Sequence, residues 1–197
     1  MTSKLDTRKK ILDCALTLFS KNGYKLTTIK EIALLANVNE ITVFRHFQTK
    51  DGMLDEIFKS YSKVSVIDDL LFGHLSGNLS VDLRYICNIL IDSILENHLF
   101  IEFCLIEISL NSSLATEEVQ TIFTSYINYL TDYLNKISDQ GIIPKSNFQL
   151  YSQMFLCLVH QFAFSKFDQN NIFSSAPLDR DEFVNTLVDL FVTKLNK

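Results

Sequence analysis

The sequence predicts an all-α protein, with an N-terminal helix-turn-helix head of three helices, a C-terminal helical bundle and about nine helices in total. Only 5 Gly and 2 Pro occur among 197 residues, so few positions favour a break in a helix. Hydrophobic residues make up 47% of the chain and recur at helical spacing, whereas no stretch alternates Val, Ile and Thr as a half-buried strand would. A chain of this length and composition can bury a substantial core.

The first helix is predicted to run from Asp6 to Lys21. One face of it is apolar at the 3.6-residue spacing and consists of Ile11, Leu12, Ala15, Leu18 and Phe19. The pair Asn22 and Gly23 ends the helix, because Gly readily adopts the left-handed conformation found at helix C-termini.

A second helix is predicted to begin at Thr28, because Thr28 and Glu31 have the spacing of a capping box. Its buried face is expected to consist of Ile32, Ala33, Leu35 and Ala36. A turn over residues 37–39 follows, in which Asn37 suits a positive φ and Asn39 can cap the next helix.

The third helix is short, and Val43 and Phe47 are predicted to anchor it inward. Its other side carries Glu40, Ile41, Thr42, Phe44, Arg45 and His46. Two short helices joined by a tight turn form a helix-turn-helix, whose second helix enters the major groove of DNA. Thr49 is predicted to cap a fourth helix, with an inner face of Leu54, Ile57, Phe58 and Tyr61. We therefore expect the N-terminal region to bind DNA.

The charge distribution agrees with this expectation, although the net charge of the chain is −5. Residues 1–62 contain 10 Lys and Arg against 7 Asp and Glu, which gives +3, and residues 63–197 contain 8 against 16, which gives −8. A basic head can approach phosphates while an acidic body stays away from them.

The N-terminal residues resemble the TetR family of one-component bacterial regulators. The resemblance covers about the first 60 residues and rests on the order and spacing of several short elements. These elements are Gly23-Tyr24, Thr27-Thr28, Ile32-Ala33, Ala36 with Val38, the run from Thr42 to Phe47, and Lys50. The resemblance implies a two-fold dimer whose heads bind successive major grooves, and a C-terminal helical body that binds an inducer.

The resemblance also implies roles for individual residues. It places Lys30 near DNA, Lys50 at a phosphate, and a hydroxyl of Thr27 or Thr28 at another phosphate. Base-facing positions fall on the third helix. The candidate DNA-binding residues are Thr27, Thr28, Lys30, Asn39, Glu40, Ile41, Thr42, Phe44, Arg45, His46 and Lys50.

Two of these residues depart from the family pattern, which usually has a small residue at the position of Ile41 and Tyr at the position of Phe44. Ile41 can pack on a thymine methyl group, and Glu40 can accept a hydrogen bond from a cytosine amino group. Phe44 lacks the hydroxyl that could bind a phosphate. We therefore expect contacts to thymine or cytosine edges in each half-site.

Gly73 and Gly77 mark the expected joint between a DNA-binding domain of residues 1–62 and a ligand-binding and dimerisation domain of residues 63–197. Further helices are predicted at 80–96, 99–110, 116–140, 147–167 and 180–196. The helix at 99–110 is apolar on nearly all sides and is expected to be buried.

The last two predicted helices carry wider apolar arcs than one chain's core requires, which favours a four-helix interface between two subunits. The candidate interface residues are Tyr151, Phe155, Leu158, Phe162, Phe183, Leu187, Leu190 and Phe191. Dimerisation also suits the head, because one recognition helix reads few bases.

A third group of residues either lines a cavity for a small apolar or aromatic effector or belongs to the core. Its members are Phe100, Phe103, Glu107, Phe123, Tyr126, His160 and Phe164. A buried carboxylate such as Glu107 needs a partner, which Arg84, water or a lipophilic cation would supply. His160 is either a hydrogen-bonded core residue or a ligand contact.

Other functional classes find no support in the sequence. No GxSxG, Walker, HExxH or CxxC motif occurs, so we expect neither an enzyme nor a metal or cofactor site. No apolar run reaches the roughly 18 residues of a membrane span, and no signal peptide is apparent, so a cytoplasmic protein without membrane contacts is expected.

The predicted function is a dimeric repressor that leaves a palindromic operator in double-stranded DNA when an effector binds. The alternative is a DNA-binding regulator whose body binds a protein partner.

Overall fold

The computed structural model of the protein describes residues 4–61, 74–110, 116–167 and 178–196. Within these ranges the chain forms nine α-helices and no strand, which confirms the predicted all-α fold. The helices are α1 Lys4–Asn22, α2 Ile29–Leu35, α3 Glu40–Phe47, α4 Lys50–Tyr61, α5 Leu79–Glu96, α6 His98–Ser109, α7 Thr116–Asp139, α8 Phe148–Phe164 and α9 Arg180–Leu195. None of these helices is long and apolar enough to span a membrane. The predicted hinge residue Gly73 and the side chain of Tyr61 lie outside the described part of the chain.

The chain forms two compact units. The first, here called the head unit, comprises Met1–Lys63 and Leu99–Gln120, and the second, the body unit, comprises Val64–His98 and Thr121–Lys197. This division differs from the sequence-based domains, because nearly all of α6 belongs to the head unit. Periodicity shows that α6 is apolar but does not show what it packs against.

The head unit encloses an apolar core to which α1, α2, α3, α4 and α6 all contribute. Phe103 on α6 is completely buried, and its ring centroid lies 5.8 Å from that of Phe19 and 6.0 Å from that of Phe58. Phe100 lies 5.6 Å from Phe58 in an edge-on arrangement. The head is therefore completed by a helix that lies almost forty residues beyond α4 in sequence.

Two predictions of burial in this unit are wrong. Leu105 and Ile108 are exposed, and so is Leu110 directly after the helix, so α6 is not buried on all sides. Leu35 is also exposed, because Ile32, Ala33 and Ala36 already occupy the buried side of the short helix α2. Leu35 instead lines a shallow groove along the polar side of α1.

The body unit packs α8 and α9 against α5, and a buried carboxylate secures the turn before α5. Asp82 accepts hydrogen bonds from the Ser76 amide and hydroxyl, each at 2.8 Å, and from the Gly77 amide at 2.8 Å. The Tyr133 hydroxyl of α7 donates a fourth, at 2.6 Å. Burial alone would raise the pKa of Asp82, but these hydrogen bonds outweigh it and the pKa is lowered. Asp82 thus joins α5, its preceding turn and α7.

The stability of the body unit should fall between pH 6.5 and pH 4, because His160 is held neutral. Its ring lies 4.5 Å from that of Phe123, and burial lowers its pKa from 6.5 to about 4. In this interval the unfolded chain binds the proton and the folded chain does not, so the stability present above pH 6.5 is lost on acidification. The loss should be on the order of 2 kcal/mol at pH 4.5. Asp82 contributes separately, below its ordinary pKa of 3.8.

Urea denaturation at pH 7.5 and pH 4.5 measures this loss. His160→Gln should flatten the pH profile, and the same substitution at the exposed residue His74 should leave it as in the wild type. A profile that is equally steep in His160→Gln would contradict the role assigned to His160.

Candidate nucleic-acid interface

The α2–turn–α3 segment has the geometry that its local sequence signals predict. Thr28 and Glu31 form the capping box, with the Glu31 amide donating to Thr28 Oγ1 at 3.2 Å and the Thr28 amide donating to Glu31 Oε2 at 2.7 Å. Asn37 has a φ of 52° in the turn. Asn39 caps α3, since its Oδ1 accepts from the Ile41 amide at 2.9 Å. The turn is therefore held by hydrogen bonds between near neighbours in sequence.

Helix α3 has one buried side and one exposed side. Val43 and Phe47 are buried in the head core, as predicted. On the opposite side Ile41 is 75% exposed and Phe44 47% exposed, and the charged residues Glu40 and Arg45 are exposed beside them. Thr42 and His46 are partly exposed. Helix α3 thus presents a mixed apolar and charged surface while its anchors remain in the core.

Lys50, at the first position of α4, is bound to the turn between α1 and α2. Its Nζ donates to Tyr24 O at 2.8 Å and to Thr27 O at 2.9 Å, and lies 4.1 Å from the centroid of the Tyr24 ring. Partial burial lowers the pKa of Lys50, while the nearby charges of Asp51 and Glu107 act in the opposite direction. An ammonium group has three donors, so one N–H of Lys50 remains for an anion such as a DNA phosphate.

The two threonine candidates differ in accessibility. Thr27 is buried, and its hydroxyl donates to Gly23 O at 3.0 Å. Because this hydroxyl is not at the surface, we no longer include Thr27 among the candidate DNA contacts. Thr28 is exposed, but its hydroxyl already donates to Glu31 Oε2 at 2.8 Å. Lys30 is exposed on α2 and leaves a positive charge at the surface.

Three of the seven effector candidates lie in the head unit and four in the body unit. Phe100, Phe103 and Glu107 are buried in the head unit, and the rings of Phe100 and Phe103 belong to its hydrophobic core, which favours the core alternative for these two residues. The other four lie in the body unit and are Phe123, Tyr126, His160 and Phe164. The rings of Phe123 and His160 lie 4.5 Å apart and are tilted by 32°, and the ring of Phe164 lies 5.1 Å from that of Phe167. Glu107 has a partner that the sequence does not reveal, because its Oε1 accepts from the Tyr24 amide at 2.7 Å.

A surface groove of about 380 Å³ lies in the body unit, between the turn before α5 and the C-terminal half of α7. Tyr129 and Tyr133 provide its aromatic surface, and Asp132 and Lys136 provide charges of opposite sign. The described residues contain no group of three or more His, Cys, Asp or Glu placed to hold a metal ion.

The dimer candidates also separate into two groups. Phe155, Phe162, Leu187 and Phe191 are buried within their own chain, so they have little surface left to offer a second subunit. Leu158 and Leu190 are exposed, and Tyr151 and Phe183 are partly exposed. Sequence reasoning missed Leu150 and Met154, which are about half exposed and form a stripe on α8 with Leu158. Their four-residue spacing was the available signal, but the neighbouring phenylalanines obscured it.

A helix-turn-helix whose second helix is anchored on one side and exposed on the other, in a chain whose described elements are all helices, is typical of a DNA-binding transcriptional regulator. The family model for bacterial regulatory proteins of the tetR family matches residues 11–57. The HTH-type transcriptional regulator YvkB of Bacillus subtilis (strain 168) is 32% identical over 159 residues, which cover 78% of this chain and 79% of that protein. The chain therefore belongs to the TetR family.

Solved structures share the fold over the whole chain. GusR of Salmonella enterica superposes with a TM-score of 0.69 and 17% identity, covering 100% of this chain and 99% of that one. PfmR of Thermus thermophilus superposes with a TM-score of 0.69 and 19% identity, covering 95% of this chain and 99% of that one.

A shorter sequence match is to the HTH-type transcriptional repressor KstR2 of Rhodococcus jostii (strain RHA1). It is 36% identical over 72 residues, which cover 36% of this chain and 32% of that protein.

Proposed function

We propose that the protein is a dimeric repressor that binds a palindromic operator and is released from it by a small apolar or aromatic effector. The observation that carries the proposal is the exposed side of α3, with Ile41 and Phe44 outward and Val43 and Phe47 in the core. Large apolar side chains at the tip of a recognition helix gain a partner when the helix enters the major groove.

The contacts divide into base contacts and phosphate contacts. Glu40, Ile41, Thr42 and Phe44 occupy the part of α3 that reaches base edges. The positive charge that meets phosphates comes from Lys30, Arg45, His46 and Lys50. Thr28 and Asn39 are the remaining candidate contacts, at the N-termini of α2 and α3. The phosphate contacts position the head, whereas the base contacts select the sequence.

Dimerisation is supported by the exposed stripe Leu150, Met154 and Leu158 on α8, together with Leu190 on α9. Such a stripe is costly in water and is covered when two copies meet about a two-fold axis. Two heads then reach successive major grooves, whose centres lie about 34 Å apart. A palindromic operator follows from that symmetry.

Release by an effector is supported by the aromatic residues of α7 and α8 and by the groove along the C-terminal half of α7 in the body unit. Phe123 and His160 form an aromatic pair, and Tyr129 and Tyr133 line the groove. An effector that prefers a conformation with wrongly spaced heads needs a coupling free energy of only about 1–3 kcal/mol to reduce operator occupancy.

Selection from a randomised duplex library, read by sequencing at several salt concentrations, tests the proposed function. We expect an enriched palindrome with half-sites about one helical turn apart, and an affinity that falls steeply with salt. Ile41→Glu is the control, because it places a negative charge at an exposed side chain without touching the core, and it should abolish enrichment. A wild-type protein that enriches no sequence at any salt concentration would contradict the proposal.

Removing thymine methyl groups from the selected operator should weaken binding. Uracil keeps the hydrogen-bonding edge of thymine and lacks only the 5-methyl group, so replacement at one position isolates the apolar contact of Ile41. We expect a loss of about four-fold at the contacted position, in line with about 0.8 kcal/mol per buried methyl-sized group. Titration of wild type and Ile41→Ala with both duplexes measures the effect, which should vanish in the variant. Equal affinity of the wild type for both duplexes at every thymine would rule out methyl readout while leaving DNA binding intact.

A further inference from the structure

Glu107 is a buried carboxylate in the head unit, with 1% of its surface exposed. A buried carboxylate is costly unless hydrogen bonds satisfy it. Glu107 Oε1 accepts from the backbone amide of Tyr24 at 2.7 Å, a residue 83 positions earlier in the turn between α1 and α2. A Cβ added at the neighbouring Gly23 would lie 3.4 Å from the same oxygen. The turn is therefore packed closely against α6.

Helix α4 holds the same turn through side chains. Lys50 Nζ donates to the carbonyl oxygens of Tyr24 and Thr27 at 2.8 and 2.9 Å. The Tyr24 hydroxyl donates a short hydrogen bond to Asp51. Tyr24 is thus bound through its amide by α6, and through its carbonyl, ring and hydroxyl by α4.

The Glu107 carboxylate and the Lys50 ammonium act on opposite ends of one peptide segment. Glu107 orients the amide of Tyr24, and the carbonyls of Tyr24 and Thr27 orient the ammonium. The negative charge of Glu107 also attracts the ammonium directly. If the amide loses its acceptor, the turn can rotate and the ammonium loses its fixed position.

We infer that Glu107 is a positioning residue for DNA binding, which fixes the Tyr24–Thr27 turn and thereby holds Lys50 ready for an operator phosphate. This inference rests on the proposed function, since it assigns Lys50 to a phosphate. A lysine that is already ordered in the free protein loses less side-chain freedom on binding. It also places α6, outside the helix-turn-helix, among the elements that determine operator affinity.

A double-mutant cycle on the full-length protein with the selected operator tests the inference. Glu107→Ala should lower affinity about ten-fold and reduce the slope of log K against log salt by about 0.9 for each phosphate that is no longer neutralised. Lys50→Ala should do the same, and the double variant should match Lys50→Ala alone, because Glu107 acts through Lys50. Glu107→Gln, which can still accept from the Tyr24 amide, should recover most of the slope. Glu102→Ala, on the same helix and partly exposed, is the matched control and should leave affinity and slope unchanged.

The inference would be overturned if the effects of Glu107→Ala and Lys50→Ala on affinity were additive. It would also be overturned if Glu107→Ala lowered the melting temperature and left the salt slope unchanged, since Glu107 would then be a core residue only. Detection of the Lys50 ammonium by nitrogen-15 NMR in the free protein gives a reading that does not depend on DNA. The signal should be sharp in the wild type and in Glu107→Gln and broadened by exchange in Glu107→Ala. A sharp signal in Glu107→Ala would overturn the inference, whereas a failed library selection would count only against the proposed function.

Discussion

Replacing Met154 by Lys should dissociate the proposed dimer and lower operator affinity by about 100-fold, because two linked heads bind far more tightly than one. Met154 is 48% exposed in the middle of the α8 stripe, between Leu150 and Leu158. At a two-fold interface the same surface meets its own copy, so each introduced charge is buried near an identical charge. Sedimentation equilibrium and operator titration measure the two effects.

Ile142→Lys is the matched control for Met154→Lys. Ile142 is similarly exposed, but it lies in the loop after α7 and should leave the dimer intact. Cys157, exposed on α8 one turn beyond Met154, allows an independent check by a short bis-maleimide crosslinker in a Cys14→Ser background. Crosslinked dimers should form in the wild type and disappear in Met154→Lys. An unchanged dimer in Met154→Lys would remove α8 from the interface.

Truncating Phe103 to Ala should cost about 3–5 kcal/mol of unfolding free energy, as for other fully buried aromatic residues. The side chain is completely buried, and its ring contacts those of Phe19, Phe58 and Phe100 in the head core. Truncation leaves a cavity that the surrounding helices fill only in part. Urea denaturation, followed by circular dichroism, measures the loss.

Leu105→Ala on the same helix provides the comparison for Phe103→Ala. Leu105 is exposed, so its truncation should change the unfolding free energy by about 0.5 kcal/mol or less. A loss below about 1 kcal/mol in Phe103→Ala would contradict its place in the head core and would favour its assignment to an effector cavity.

The helix-turn-helix was predictable because each of its signals acts over a few residues. The Thr28 capping box, the positive φ of Asn37 and the Asn39 cap all depend on backbone groups within three positions of the side chain. The anchors Val43 and Phe47 are one helical turn apart, so their common face follows from helix geometry. The Thr49 cap of α4 belongs to the same class, since Thr49 Oγ1 accepts from the Gly52 amide at 2.9 Å.

At the candidate sites the sequence grouped residues that the structure places in different surroundings. Phe155 and Leu158 lie on one wide apolar arc of α8, yet Phe155 faces the core of its own chain and Leu158 is exposed. Phe103 and Phe123 have the same residue type and helical setting, yet one lies in the head unit and the other in the body unit. Periodicity reports which face of a helix is apolar and is silent about its partner.

The sequence by itself determined the all-α class, the helix-turn-helix and the residues on the exposed side of α3. All of these follow from hydrogen bonds and residue spacings within one or two helical turns. Tertiary structure alone decided that α6 completes the head core, that Glu107 binds the amide of Tyr24, and that Lys50 joins α4 to the turn after α1. Those contacts join residues 26 and 83 positions apart. No local pattern encodes these contacts. Their energy comes from burying side chains and from hydrogen bonding polar groups that meet only when the helices pack.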